Sequence, residues 1–228
     1  MLLNMDMQIP DTFYIFISKY NPSTAHLLKT NRQFSSASIS NCALDKGFLD
    51  KYINGTINYI PFEPRQSELG IVSPYGLRAI SDYAVEYDAE YYRLKYFSLY
   101  PSRLSAIYAF GNYESCQLVN QKYPNNWDLN TVKKFKLENT LPSLTRVVKL
   151  NMEIVSLARL AYTIFSLNEE IRESIWKSYW SGSGNIALEL PGANFERTVY
   201  NSGEIYEYLI EGIVKLDDQE NGDAVPGC

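Results

Sequence analysis

The chain has 228 residues, 46% of them apolar and 21% charged. That composition excludes a wholly disordered polypeptide, and the length suits one domain with a buried core. A net charge of −5 at pH 7 argues against nucleic acid as the partner, because phosphate-binding faces carry an excess of Lys and Arg.

The opening MLLNMDMQIPD has no basic start, so it does not read as a secretion signal. No apolar run reaches the roughly 18 residues of a membrane span. These features predict a soluble protein with no membrane partner. It would work in the cytoplasm, or in a host cell's cytoplasm if delivered as an effector. The first strand is predicted over Thr12–Ser18, TFYIFIS, from its β-branched and aromatic run. Residues 21–41 are rich in Ser, Asn and Thr, which favour loops and caps. His26, the one histidine, falls here in a loop or short helix and reads as a surface or capping residue. Residues 1–70 form a loop-rich region, 71–216 the core and 217–228 a polar, frayed tail.

Ser73 followed by Pro74 has the form of a helix start. The helix is predicted over Tyr75–Tyr96, with Leu77, Ile80, Tyr83, Ala84 and Tyr87 at helical spacing. Pro101 ends that stretch. A strand follows over Leu104–Phe110, then a short helix over Tyr113–Tyr123, broken off by Pro124. Thr131–Glu138 alternates as a strand, with Lys133, Lys134 and Lys136 as a solvated basic face. A helix is predicted from Asn151, with Ile154, Leu157, Ala161 and Ile164 on one face. Ser166 and Glu169 have capping-box spacing before a second helix. That helix carries Ile171, Ile175 and Trp176 and ends at the glycines of YWSGSG. Ile205–Leu216 reads as two strand pieces hinged at Gly212. Strands at the front, middle and end, without regular alternation with helices, predict an α+β fold on a mixed sheet.

Several chemistries are missing. Cys42, Cys116 and Cys228 are too few and too far apart for a disulfide framework or a zinc site, so no metal is expected and a reducing compartment fits. With one histidine, a histidine-based triad or metal cluster has a single possible anchor. No phosphate-binding Gly-rich loop follows a strand, and no nucleophile elbow is present. Any catalysis must therefore rest on carboxylates, tyrosines, hydroxyls and arginines. The 19 tyrosines suit half-buried strands and also sites that stack flat rings.

Three stretches occur in a distinctive order. They are FYIFIS on the first strand, PSRLSAIYAFGNYESC at a turn leading into a strand and helix, and YWSG followed by IYEYLIEGIVKL. In that order, over about Phe13 to Leu216, they resemble small bacterial and phage proteins of the ADP-ribosyltransferase superfamily. The resemblance implies a split mixed sheet holding NAD in a cleft. It makes Glu207, on the late strand, the carboxylate that stabilises the oxocarbenium-like cation formed as nicotinamide leaves. Fixed negative charge beside a developing positive charge is what that step requires, and the same carboxylate can take a proton from an acceptor. Without the resemblance, Glu207 reads as an outward-facing strand residue. Glu204 and Glu211 are its competitors.

Arg103 is placed either to clamp the pyrophosphate through its planar fork or to tie the turn to the helix by a salt bridge. Ser102 and Ser105 offer hydroxyls to phosphate or ribose. Tyr14 and Tyr179 are candidates for stacking on nicotinamide or bonding a ribose, with core packing as the alternative. Trp180 and Ser181 of the YWSG turn would shape the pocket wall. One departure stands out. Many relatives carry a His or Arg on the first strand, where this chain has Tyr14 and Ser18. The implied activity is mono-ADP-ribosyl transfer from NAD to a protein acceptor. An NAD hydrolase and a catalytically degenerate binding module of the same fold are the alternatives.

Overall fold

A computed structural model describes residues 9–17, 22–36, 74–138, 145–164, 167–191 and 196–217, with backbone alone at 22–24, 74–81, 164 and 191. The strands are β1 (Thr12–Phe16), β2 (Gln33–Ser35), β3 (Ile107–Ala109), β4 (Val132–Glu138), β5 (Arg146–Asn151), β6 (Ala187–Pro191), β7 (Arg197–Asn201), β8 (Tyr206–Glu211) and β9 (Ile213–Leu216). The helices are α1 (Pro22–Asn31), α2 (Pro74–Tyr96), α3 (Tyr113–Lys122), α4 (Met152–Ile164) and α5 (Glu169–Trp180).

The α+β class is observed, and so is a split sheet. One sheet has the order β1-β4-β9-β2 and another β3-β8-β5, with β6-β7 as a separate hairpin. The expectation of mixed strand directions needs correcting, because every named strand pair is antiparallel. A parallel neighbour needs a crossover over the sheet. Here α4, α5 and the β6–β7 hairpin lie between β5 and β8 in sequence, and the chain returns running against β5. The two larger sheets meet in two places: Tyr14 of β1 and Phe110, just after β3, exchange backbone hydrogen bonds at 2.7 and 2.8 Å, and the chain itself crosses between the sheets. The chain leaves β8 in the three-stranded sheet and enters β9 in the four-stranded sheet at Gly212, the predicted hinge. A side chain would be crowded there, since a Cβ on Gly212 would lie 3.2 Å from Thr145 Cγ2.

Alternation along β8 places it between two cores. Leu209 packs with Val85, Ala89, Leu150, Ile154, Trp176 and Trp180, residues of α2, β5, α4 and α5. Tyr208 and Ile210 pack on the other side with Phe13, Ile15, Phe135 and Val214 of the four-stranded sheet. The order is therefore helices, three-stranded sheet, four-stranded sheet, with period-2 alternation deciding which core each β8 side chain enters. A third cluster, Phe110, Cys116, Val119 and Ile205, seats α3, with Tyr14 and Phe16 packed against it.

Several boundaries differ from those expected. In LSAIYAF only Ile107–Ala109 is strand. Before it, the amides of Ser105 and Ala106 both donate to the Ser102 carbonyl, at 3.2 and 2.9 Å, and curl the chain into a turn. Asn168 caps α5, its Oδ1 accepting from the Ile171 amide at 2.9 Å, so the capping role expected of Ser166 falls to Asn168; Ser166 itself lies outside the described residues. Ile175 and Trp176 are buried, but Ile171 is 38% exposed and belongs to the solvent side. The supposed loop after Asn21 contains α1 and β2. Strand β5 and the β6–β7 hairpin had no predicted counterpart. His26 is exposed on α1. Lys133 and Lys136 are exposed, and Lys136 Nζ lies 3.0 Å from Asp217 Oδ1. Most of the loop-rich region of 1–70 and the tail from 218 lie outside the described residues.

Candidate functional site

Two elements each present a pair of carboxylates four residues apart. On α2 these are Glu86 and Glu90, one helical turn from each other. On β8 they are Glu207 and Glu211, which share a face because strand side chains alternate. The turn made by Pro101–Ser105 runs between the two elements and supplies a donor to each carboxylate.

Arg103 serves the first member of each pair. Its Nε and Nη2 donate to Glu86 Oε2 and Oε1 at 3.0 and 3.2 Å. Its Nη1 donates to Glu207 Oε1 at 3.1 Å and to the Tyr179 hydroxyl at 2.6 Å. Tyr179 in turn donates to the same Glu207 oxygen at 3.0 Å. The guanidinium lies 5.3 Å from the centre of the Tyr108 ring and 5.4 Å from that of Tyr179. Contacts of this kind favour the cation. Tyr108 also fixes the turn, its hydroxyl donating to the Arg103 carbonyl at 2.7 Å.

Ser102 and Ser105 serve the second members. The Ser102 hydroxyl donates to Glu90 Oε2 at 2.8 Å, and its amide donates to Glu211 Oε1 at 3.0 Å. The Ser105 hydroxyl donates to that Glu211 oxygen at 2.8 Å. Arg93 pairs with Glu90 at 2.8 Å, and Arg146 pairs with Glu211. This second set is a buried clamp that holds the turn against α2 and β8.

The first set is graded in exposure. The Glu207 and Arg103 side chains are 5% and 7% exposed, Glu86 is 23%, and Arg159 on α4 is 45%. Arg159 Nη2 donates to Glu86 Oε1 at 3.2 Å. A line of charges thus runs from solvent at Arg159, through Glu86 and Arg103, to Glu207 in the interior. Burial raises the Glu207 carboxyl above its ordinary value, only partly opposed by the Arg103 charge and the Tyr179 hydrogen bond. Glu86 is lowered, because Arg103 and Arg159 together outweigh the desolvation that pushes it up. Burial also pushes the Tyr179 hydroxyl well up, so it stays a neutral donor. Glu207 is accordingly not an outward-facing strand residue. Of its competitors, Glu204 is exposed, its carboxylate accepting from the Tyr206 hydroxyl at 3.4 Å, while Glu211 belongs to the clamp.

Arg103, Tyr179 and Glu207 therefore meet directly, and Ser102 and Ser105 flank them on the same turn. The remaining candidates lie apart from this contact. Trp180 is buried, with its indole N–H donating to the Ala89 carbonyl at 2.8 Å and its ring centre 4.9 Å from that of Tyr179, so it backs Tyr179. Ser181 is exposed, 2.7 Å from the Ser183 hydroxyl. Tyr14 sits in the third hydrophobic cluster with its ring 6.0 Å from that of Tyr113. Glu86, Arg159 and Tyr108 were not anticipated. Asp82, Glu86 and Glu90 at four-residue spacing in α2, followed by Arg93, were the available signal. Among the described residues, no group of three or more His, Cys, Asp or Glu side chains is placed to hold a metal ion, and no helix is long and apolar enough to cross a membrane. No protein-family model and no curated protein matches the chain.

Proposed function

We propose that this chain is a mono-ADP-ribosyltransferase that uses NAD as substrate and modifies a protein acceptor. One observation carries the reading. Arg103 of the PSR turn, Tyr179 of the YWSG turn and Glu207 of the last motif are far apart in sequence, yet both donors bond the same Glu207 oxygen, at 3.1 and 3.0 Å. A buried carboxylate with a perturbed pKa, joined by charged groups to solvent, is the kind of arrangement that functional sites maintain at a cost in stability.

The chemistry follows from these residues. The bond between the ribose carbon and the nicotinamide nitrogen breaks, and its electron pair leaves with nicotinamide. The sugar carbon becomes cationic, and Glu207 offers a fixed negative charge where water is scarce. Arg103 and Tyr179 hold that carboxylate in place. The acceptor's lone pair then forms the new bond to the sugar carbon, and its proton passes to Glu207 and on to solvent. An arginine fork suits the diphosphate of NAD.

The test is nicotinamide release from NAD, followed together with thermal unfolding. At 100 times its dissociation constant, a ligand stabilises a protein by about 2.7 kcal/mol. Stabilisation with acceptor-dependent release of nicotinamide supports the transferase. Release that needs no acceptor identifies a hydrolase. Stabilisation without release points to a binding module, and neither effect removes NAD from the account.

A further inference from the structure

Glu86 stands where an anionic ligand of Arg103 would stand. Its two oxygens take the Arg103 fork through Nε and Nη2 at 3.0 and 3.2 Å. Oxygen Oε1 also takes Nη2 of Arg159 at 3.2 Å. Two guanidiniums from different elements, the PSR turn and α4, thus converge on one carboxylate. Planar, two-point capture of this kind is what arginine also offers to phosphate. The three groups differ in how firmly they are held. Arg103 is pinned from behind by Glu207 and Tyr179 and flanked by two rings. Arg159 is 45% exposed and Glu86 23%, and Glu86 comes from a different element than either arginine.

Resting on the reading of Arg103 as the diphosphate clamp, we propose that Arg103 and Arg159 form a two-arginine site for a diphosphate-bearing ligand, and that Glu86 fills it as an internal competitor. The ligand displaces the Glu86 carboxylate, which swings toward solvent past Arg159. Glu86 then sets a threshold common to every anion. A singly charged anion gains little over the carboxylate already present, whereas a diphosphate brings more charge and spans both arginines. Arg159 becomes a ligand-binding residue at the mouth of the site. The affinity measured for any anion is reduced by the fraction of molecules in which Glu86 has vacated the site.

The probe is inorganic pyrophosphate, titrated calorimetrically at constant ionic strength, so no step of NAD chemistry enters. Glu86→Gln keeps the shape and removes the competing charge. It is expected to tighten pyrophosphate binding about tenfold or more, and adding Arg159→Gln to that variant is expected to reverse most of the gain. Equal affinity in wild type and a folded Glu86→Gln overturns the proposal. Should Glu86→Gln fail to fold, the half-exposed Arg159→Gln alone must weaken pyrophosphate binding several-fold, and unchanged affinity overturns the proposal equally. Sulfate is the control: it is expected to gain by the same factor but to bind more weakly than pyrophosphate in both proteins, and sulfate binding as tight as pyrophosphate counts against a diphosphate site. The two readings fail separately. Pyrophosphate binding that follows this pattern in a protein that never cleaves NAD defeats the transferase alone. NAD cleavage without any effect of Glu86→Gln on pyrophosphate defeats the internal competitor alone.

Discussion

At the residue scale, one arginine governs two carboxylates with opposite titration behaviour. Glu86 is lowered below its ordinary value of 4.5, so it contributes stability above that value that is lost as pH falls through the folded value. Glu207 is raised above 4.5, so its contribution has the reverse sign, full at low pH and lost as pH rises toward its folded value. Melting temperatures of Glu86→Gln and Glu207→Gln, each minus wild type, should therefore move in opposite directions with pH. The Glu86→Gln difference becomes more negative as pH rises toward 4.5. The Glu207→Gln difference becomes more favourable to the variant above 4.5. Parallel curves would mean that Arg103 does not divide the pair in this way. Replacing Arg103 by Met leaves buried Glu207 without its cation, and breaking a buried pair of this kind costs about 3–5 kcal/mol by denaturant unfolding. Tyr179→Phe removes a donor to a charged acceptor, an interaction of about 1.5–3 kcal/mol, and should raise Glu207 further. The sequence made Arg103, Tyr179 and Glu207 legible through their motifs. It could not show that Ser102 and Ser105 bond Glu90 and Glu211 instead of facing a ligand. A hydroxyl's partner is set by tertiary packing, which leaves no local trace.

At the element scale, the sequence was clearest where period and breakers agreed. The bounds of α2, α3 and β4 fall within a residue of those expected, because prolines marked α2 and α3 and alternation marked β4. It was least clear for β5 and the β6–β7 hairpin. Strand β5 is buried at Val147, Val148 and Leu150, so it shows no clean alternation. Strand β7 is mostly exposed, with Val199 60% exposed, and carries no apolar signal. At the start of α5 the cap is Asn168, the residue adjoining the helix, whose Oδ1 accepts from the Ile171 amide. Asn168→Ala should cost about 1 kcal/mol in urea unfolding with an unchanged slope. Asn151 joins three segments, accepting from the amides of Glu153 and Ile205 and donating to the carbonyls of Gly184 and Gly203. Gly203 has φ +75°, and a Cβ there would meet only ordinary contacts, the nearest at 3.6 Å from Lys122 Nζ. The cost of Gly203→Ala is thus one of backbone conformation, about 1–2 kcal/mol.

At the scale of the whole molecule, β8 organises both the cores and the site. Leu209 and Ile210 are adjacent, face opposite ways and are both fully buried. Leu209→Ala and Ile210→Ala should each cost about 2–5 kcal/mol, whereas a sheet with one wet face would spare one of them. The same alternation turns Glu207 and Glu211 toward the helical layer, among the groups that the PSR turn, α2 and α5 contribute. The run IYEYLIEGIVKL made the hinge at Gly212 legible, but the partner of each half depends on long-range pairing. The expected mixed sheet failed for that reason, since strand direction follows from how the chain returns. The most direct test of the central claim is labelling of cell lysates with biotinylated NAD, using wild type beside Glu207→Gln. The account predicts a discrete labelled protein with wild type and none with the variant, provided both proteins melt as folded species. Equal labelling by a folded Glu207→Gln would contradict it, because transfer would then not depend on the carboxylate that Arg103 and Tyr179 hold.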